Sequence, residues 1–216
     1  MRSRWMAPAV IAAMWAFALA VYSRLPARVP THWDVHGEVD GWMNRFPGAF
    51  LLPLTAMALV TLLWWVLPRV DPRRANFDRF GGEVNLFGNA LTLFFAVLEV
   101  VTIGVALGWP VDVSSVLMAA LGLLFIILGN YLPRLRSNWW MGIRTPWTMD
   151  SERVWRDTHR VGGRAFVAAG VVTLVAALLP ATSRAWVSGV ALAGAALVPV
   201  VYSYLAWRRD HSGRAA

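Results

Sequence analysis

The sequence predicts an all-α integral membrane protein with six transmembrane helices and both termini on the cytoplasmic side. Three observations predict it. Of the 216 residues, 58% are hydrophobic and only 15% charged, and mean hydropathy is +0.53. A soluble domain of this size could not cover so much apolar surface with so few charges. The apolar residues fall into six blocks, each about long enough to cross ~30 Å of hydrocarbon. The basic residues, all 20 of them arginine, segregate between alternate connections.

The blocks run from Trp5 to Tyr22, Ala49 to Leu67, Leu86 to Leu107, Val113 to Leu132, Ala165 to Leu179 and Ala185 to Trp207. The first, preceded by Arg2 and Arg4 and containing Ala18-Leu19-Ala20, also has the outline of a cleavable signal peptide, but its apolar run is long for one. Sixteen arginines lie at the termini and in the second and fourth connections; only Arg24, Arg28, Arg45 and Arg184 lie on the other side. The positive-inside rule therefore assigns the sixteen to the cytoplasm. Trp5, Trp64, Trp65, Tyr202, Tyr204 and Trp207 sit beside arginines at the inner ends, as interfacial aromatics do. So distributed, the net charge of +8 is an orientation signal and not a footprint for direct nucleic-acid binding. The absence of cysteine excludes disulfides, thiolate metal sites and a cysteine nucleophile.

Residues 1–67 form a two-span unit enclosing an outer loop, 24–48, and residues 86–207 a four-span region. In the loop, prolines and glycines set turns around His32, Asp34, His36, Gly37, Glu38 and Asp40. Its HxxxH spacing invites a zinc reading. A zincin, however, needs glutamate directly after the first histidine, on a helix, and Trp33 stands there, between Pro30 and Gly37. The alternative is a compact polar loop held by Asx turns, with no metal. Gly108-Trp109-Pro110-Val111-Asp112 and Pro180-Ala181-Thr182-Ser183-Arg184 are tight turns that make spans three and four, and five and six, antiparallel hairpins. Gly104 with Gly108 and Gly189 with Ala193 have the small-residue spacing of close helix packing.

Glu99 lies in mid-span, with Asn85 and Asn89 earlier on the same helix. At that depth a carboxyl is neutral, paired or facing a polar cavity. It either hydrogen-bonds a neighbouring helix, for example at Asn130, or belongs to the polar path of a transporter or channel. A membrane hydrolase finds no assembled triad, because the polar clusters lie in connections on opposite faces.

The fourth connection, 133–164, is the most polar stretch. Gly142 and Pro146 break the helix through Met141-Gly142-Ile143-Arg144-Thr145-Pro146-Trp147, and Thr148 or Asp150 is expected to cap a new one. Arg153, Arg156, Arg160 and Arg164 then form a basic stripe, and Trp155, His159 and Gly162 share another face. This predicts an amphipathic helix on the inner surface of the lipid bilayer, running into span five. A positive-inside anchor needs only the arginines, not the Gly-Ile-Arg-Thr-Pro-Trp-Thr run or the Trp155, Thr158, His159 set.

The stretch Asn130–Gly163 closely resembles the hallmark of the SdpI immunity-protein family. Its parts are the Gly-Ile-Arg-Thr-Pro-Trp-Thr motif, then Val-Trp, then Thr-His-Arg and paired glycines. The outer loop resembles the small domain of unknown function that commonly precedes that region. Met149 stands where the family has leucine, and His36 falls outside its pattern. The resemblance implies a multi-pass, non-enzymatic protein of the bacterial inner membrane, without cofactor, that protects its cell from a secreted toxic peptide. It also implies a receptor role in which a small cytoplasmic winged-helix autorepressor is retained at the membrane. The residues it carries over are Asn138, Gly142, Ile143, Arg144, Thr145, Pro146, Trp147, Trp155, Thr158, His159 and Arg160.

Overall fold

The first helix, α1 (Met6–Val21), is followed by a single turn, Tyr22–Arg24, in a computed structural model that describes residues 3–34 and 36–212, the side chains of Phe77 and Asp78 excepted. Arg2 and Arg214, which enter the charge count above, lie outside the described residues. Next come two antiparallel strands, β1 (Arg28–Trp33) and β2 (Val39–Asn44), paired from Arg28↔Asn44 to Trp33↔Val39 with irregularities about His32. The outer loop expected from the sequence is therefore a β-hairpin. Alternating side chains in Val39–Asn44 and the turn set by Asp34 and Gly37 explain it. The Asp34 carboxylate accepts from the backbone N–H of His36 and Glu38 at 2.9 Å each, while Gly37 takes φ +87°, which glycine adopts without strain.

Helix α2 (Arg45–Thr61) continues through a π-turn, Leu62–Val66, into α3 (Leu67–Val70), and α4 (Phe77–Ala106) returns. Helix α5 (Val113–Tyr131) starts on Asp112, whose side chain accepts from Ser115 N at 3.0 Å. The short α6 (Pro146–Asp150), the long α7 (Glu152–Ala176) and α8 (Ala181–Ser212) complete the chain.

The protein is thus an all-α, multi-pass membrane protein in which, among the described residues, the small hairpin is the one pair of strands. Among the described residues, five helices are long and apolar enough to cross a membrane: Met6–Arg24, Arg45–Val70, Arg79–Ala106, Val113–Arg134 and Ala181–Ser212. The expected fifth span, Ala165 to Leu179, covers the second half of α7 and the turn after it, and α7 is not one of the five. Its first half carries Glu152, Arg153, Arg156, Asp157, Arg160 and Arg164, and the helix runs unbroken from that half into the apolar one. The amphipathic segment and the apolar one are thus a single helix. At ~1.5 Å per residue, its 25 residues give a rod of about 37 Å.

Helix α7 packs chiefly on α5 and α8, and glycines bring it to backbone contact with α5. A Cβ on Gly122 would stand 2.7 Å from Gly170 O, and one on Gly129 2.7 Å from Gly163 O. The expected packing pairs do not act this way. Gly104 makes room for Trp109 of its own turn, and a Cβ on Gly189 would meet nothing within 4 Å. Helices α1, α2 and α4 build a second group around Ala18, Phe50, Ala56, Val60 and Ile103. Asn89 is committed here: its amide accepts from Ala7 N at 3.0 Å and donates to Ser3 O at 2.8 Å, fixing the start of α1. Glu99 is 2% exposed, and its Oε1 has no hydrogen-bond partner among the described residues. Asn130 donates to Ile126 O of its own helix.

The hairpin and the α4–α5 and α7–α8 turns gather at one end of the bundle. Arg184, 5% exposed, grips both oxygens of Asp112 at 3.0 Å, tying those two turns together. The fork and the Ser115 bonds hold the Asp112 carboxyl well below the usual carboxylate range. The segment between α5 and α7 occupies the opposite end.

Candidate functional site

That opposite end is built on Asn138, which is fully buried. Its amide donates to Arg136 O (2.9 Å) and Met141 O (3.0 Å), and its carbonyl accepts from Trp140 N (2.9 Å) and Met141 N (2.6 Å). One side chain thus replaces the secondary structure the loop lacks. Gly142 follows at φ +102°, and a Cβ there would lie 2.4 Å from His159 Nε2. Glycine is required on both counts.

The chain then enters α6 through a reciprocal cap. Thr145 Oγ1 accepts from Thr148 N (3.2 Å), and Thr148 Oγ1 accepts from Thr145 N (2.9 Å) and donates to Ile143 O (2.9 Å). Thr145 also meets Ser203 Oγ of α8 at 3.0 Å. Ser151 opens α7, its hydroxyl accepting from Val154 N (3.4 Å) and donating to Asp210 (3.1 Å). The caps are therefore Thr145 and Ser151, not Thr148 or Asp150, because α6 is a one-turn helix that the sequence reading did not separate from α7.

Trp155 and His159 lie one turn apart on the inner face of α7, both fully buried and stacked with ring centroids 4.1 Å apart. Trp155 Nε1 donates to Leu135 O (2.8 Å). His159 Nε2 accepts from Ile143 N (3.0 Å), so Nδ1 carries the proton that it donates to Trp155 O (2.7 Å). This role requires neutral imidazole. Burial favours it, pushing the pKa down to about 4 against the opposing effect of the Trp155 hydrogen bond. Gly162, one turn on, makes room for Ile143, whose Cδ1 would stand 2.3 Å from an added Cβ.

The expected residues thus divide. Asn138, Thr145, Thr148, Trp155, Thr158 and His159 are buried and face inward; Thr158 Oγ1 has no hydrogen-bond partner among the described residues. Gly142, Arg144, Pro146 and Arg160 are exposed, with Ile143 and Trp147 half-buried. Arg144 donates to Trp139 O, and Arg160 stands 3.9 Å from Asp157. Trp147 tilts against Tyr204, centroids 5.1 Å apart. Beside Arg144, Trp139 and Trp140 are 48% and 45% exposed.

Sequence reasoning missed the supports from the other half of the chain. Asp71 accepts from Trp139 N (2.8 Å), Asn76 donates to Ser137 O (2.7 Å), and Arg73 donates to Ser137 Oγ and to Met149 O (3.0 Å). Arg73 counts as a cytoplasmic arginine in the sequence; only the fold reveals its partners.

In the hairpin, His32 Nδ1 lies 2.5 Å from Asp40 Oδ1, and Asp34 is held charged by the backbone N–H groups of its turn, Glu38 first. Among the described residues, no group of three or more His, Cys, Asp or Glu side chains could hold a metal ion.

Residues 134–203 match the SdpI/YfhL protein family, and residues 9–57 match a domain of unknown function, DUF1648. The chain is similar to Immunity protein SdpI of Bacillus subtilis (strain 168), at 23% identity over 158 residues that cover 73% of each chain. It also resembles an uncharacterized protein of Archaeoglobus fulgidus, at 32% identity over 75 residues covering 32% of this chain and 41% of the relative. No solved structure matches it significantly.

Proposed function

From a multi-pass membrane chain of the SdpI/DUF1648-associated family, we propose a bacterial inner-membrane immunity protein that gives resistance to a secreted toxic peptide. The loop 135–151 serves as its cytoplasmic docking platform, and a winged-helix autorepressor is the partner. The observation that carries the platform is the division of the motif: Asn138, Thr145, Thr148, Trp155 and His159 are buried and hydrogen-bonded and so hold Arg144, Trp139 and Trp140 outward in a fixed geometry. A planar guanidinium beside exposed indoles suits recognition of a protein carboxylate or carbonyl, which an ammonium on a flexible stem replaces poorly. The arginine distribution supports this loop and both termini being cytoplasmic and the hairpin outside. The hairpin end then acts as outer sensor and the motif end as inner platform.

Deletion of the gene tests the reading. Deleted cells are expected to lose in mixed culture with their wild-type siblings and to be killed by sibling culture filtrate, with rescue by the intact gene. Equal survival would remove the immunity role. For orientation, a reporter after Asp210 is expected to be cytoplasmic and one near Gly37 extracytoplasmic; the reverse labelling would invert every sided assignment.

A further inference from the structure

At the hairpin end, β1, α2, α4, α5 and α8 enclose a cavity of about 480 Å³, within the size range of ligand sites, roughly 300–1,000 Å³. Its wall is mainly apolar, with Leu51, Leu98, Val101, Leu117 and Leu192 among the lining residues. Two polar side chains in the wall have a buried atom without a partner among the described residues: Trp33 at Nε1 and Ser188 at Oγ. Ser188 is 1% exposed. An indole N–H can only donate, and leaving such a donor buried and unpaired costs about 1–3 kcal/mol. An occupant that brings a hydrogen-bond acceptor removes that cost. A hydrocarbon tail cannot, whereas a peptide backbone carbonyl can.

The rim supplies the charge. His32, Asp34 and Gly37 line the opening, and Glu38 and Asp40 are exposed on the same hairpin. Asp34 is held in its charged form. Arg184, which lies nearby on α8, has its guanidinium committed to Asp112 and to Leu179 O.

We propose that this cavity is the binding site for an apolar peptide segment bearing a positive charge: the apolar side chains fill the interior, the backbone bonds Trp33 and Ser188, and the cation meets the acidic hairpin. The proposal rests on the immunity reading for its source, a secreted peptide, and adds the place and the chemistry of recognition.

The test uses the full chain in phosphatidylcholine nanodiscs and two synthetic leucine–alanine peptides of about a dozen residues, one with paired N-terminal lysines and one with paired glutamates. Each carries an uncharged fluorophore, read by anisotropy. The lysine peptide is expected to bind saturably and about tenfold tighter than the glutamate peptide. Gly189→Trp projects into open space and fills the cavity, so it is expected to weaken binding about tenfold or more. Glu38→Gln, a surface change outside the lining residues, is expected to reduce the lysine preference about twofold.

Binding no better than to empty discs, equal affinity for both peptides, or full binding by Gly189→Trp would each overturn the proposal. So would a phospholipid that native mass spectrometry finds retained by wild type, lost from Gly189→Trp and not displaced by peptide, since it would assign the cavity to lipid. Cell survival separates the two readings. Protection by wild type and equally by Gly189→Trp removes the site and leaves immunity standing. Failure of wild type to protect removes immunity, while the disc measurement still decides the cavity.

Discussion

Asn138, at the motif end, is fully buried and makes four hydrogen bonds within its own loop. Ser188, at the hairpin end, makes none among the described residues and borders a cavity of about 480 Å³. Both side chains are almost fully buried, so burial alone does not distinguish them. What differs is satisfaction. A buried polar network with every member paired specifies one geometry, whereas unpaired buried groups mark a place where something else is meant to bind or where stability has been given up. Around Asn138 and His159 the motif end is accordingly a fixed platform, although Thr158 Oγ1 there also lacks a partner among the described residues, and the cavity at the hairpin end is a receptive one.

The contrast can be broken most strongly at Trp155. Trp155→Ala removes the stack on His159 and the bond to Leu135 O and leaves a cavity in a packed site, at a cost of about 3–5 kcal/mol. A sharp fall in thermal midpoint and in membrane abundance is expected; an unchanged melt would mean that the motif end is not a packed core.

Acid should act next, and at the same end. His159 binds its proton less readily when folded than when unfolded. Its contribution is therefore complete above the ordinary histidine value near 6.5 and is lost as pH falls from there through about 4. The loss amounts to on the order of 3 kcal/mol. Melts of nanodisc-held protein across that window are expected to show the decline, and His159→Gln, less stable at neutral pH, to show a shallower one. Parallel curves for the two would remove His159 as the cause.

The smallest effect is expected at the hairpin end. Ser188→Ala deletes an unpaired hydroxyl, so the midpoint should hold or rise, with a gain of up to about 1 kcal/mol. A clear loss of stability there would show that Ser188 has a partner and would erase the contrast.

The sequence makes the local half of this picture legible. Helical spacing puts Trp155 and His159 on one face, and Asp34 with Gly37 announces a turn. Five of the six apolar blocks fall in the five membrane-length helices found among the described residues, and the other falls in α7. What stays hidden is non-local. Gly129 meets Gly163 and Gly122 meets Gly170 across separate helices, pairings that no periodicity within one helix encodes. Asp71, Arg73 and Asn76 grip the motif loop from more than sixty residues away, yet in sequence they read as an ordinary polar connection. The run of α7 from its polar half into its apolar one is legible, because the basic stripe leads straight into the fifth apolar block; the short α6 before it is not, because Thr148 and Asp150 read as caps of one helix.

The platform itself is tested most directly at Arg144, which is exposed and donates within the loop to the exposed Trp139. Arg144→Lys keeps the charge and removes the planar fork; Arg156→Lys together with Arg164→Lys makes the same exchange at exposed positions on α7. Survival of cells in sibling filtrate is measured with membrane abundance and melting checked for each variant. Loss of protection in Arg144→Lys alone, at wild-type abundance and thermal midpoint, is the expected result. Full protection by Arg144→Lys would contradict the platform and reduce the motif's exposed arginine to a membrane anchor.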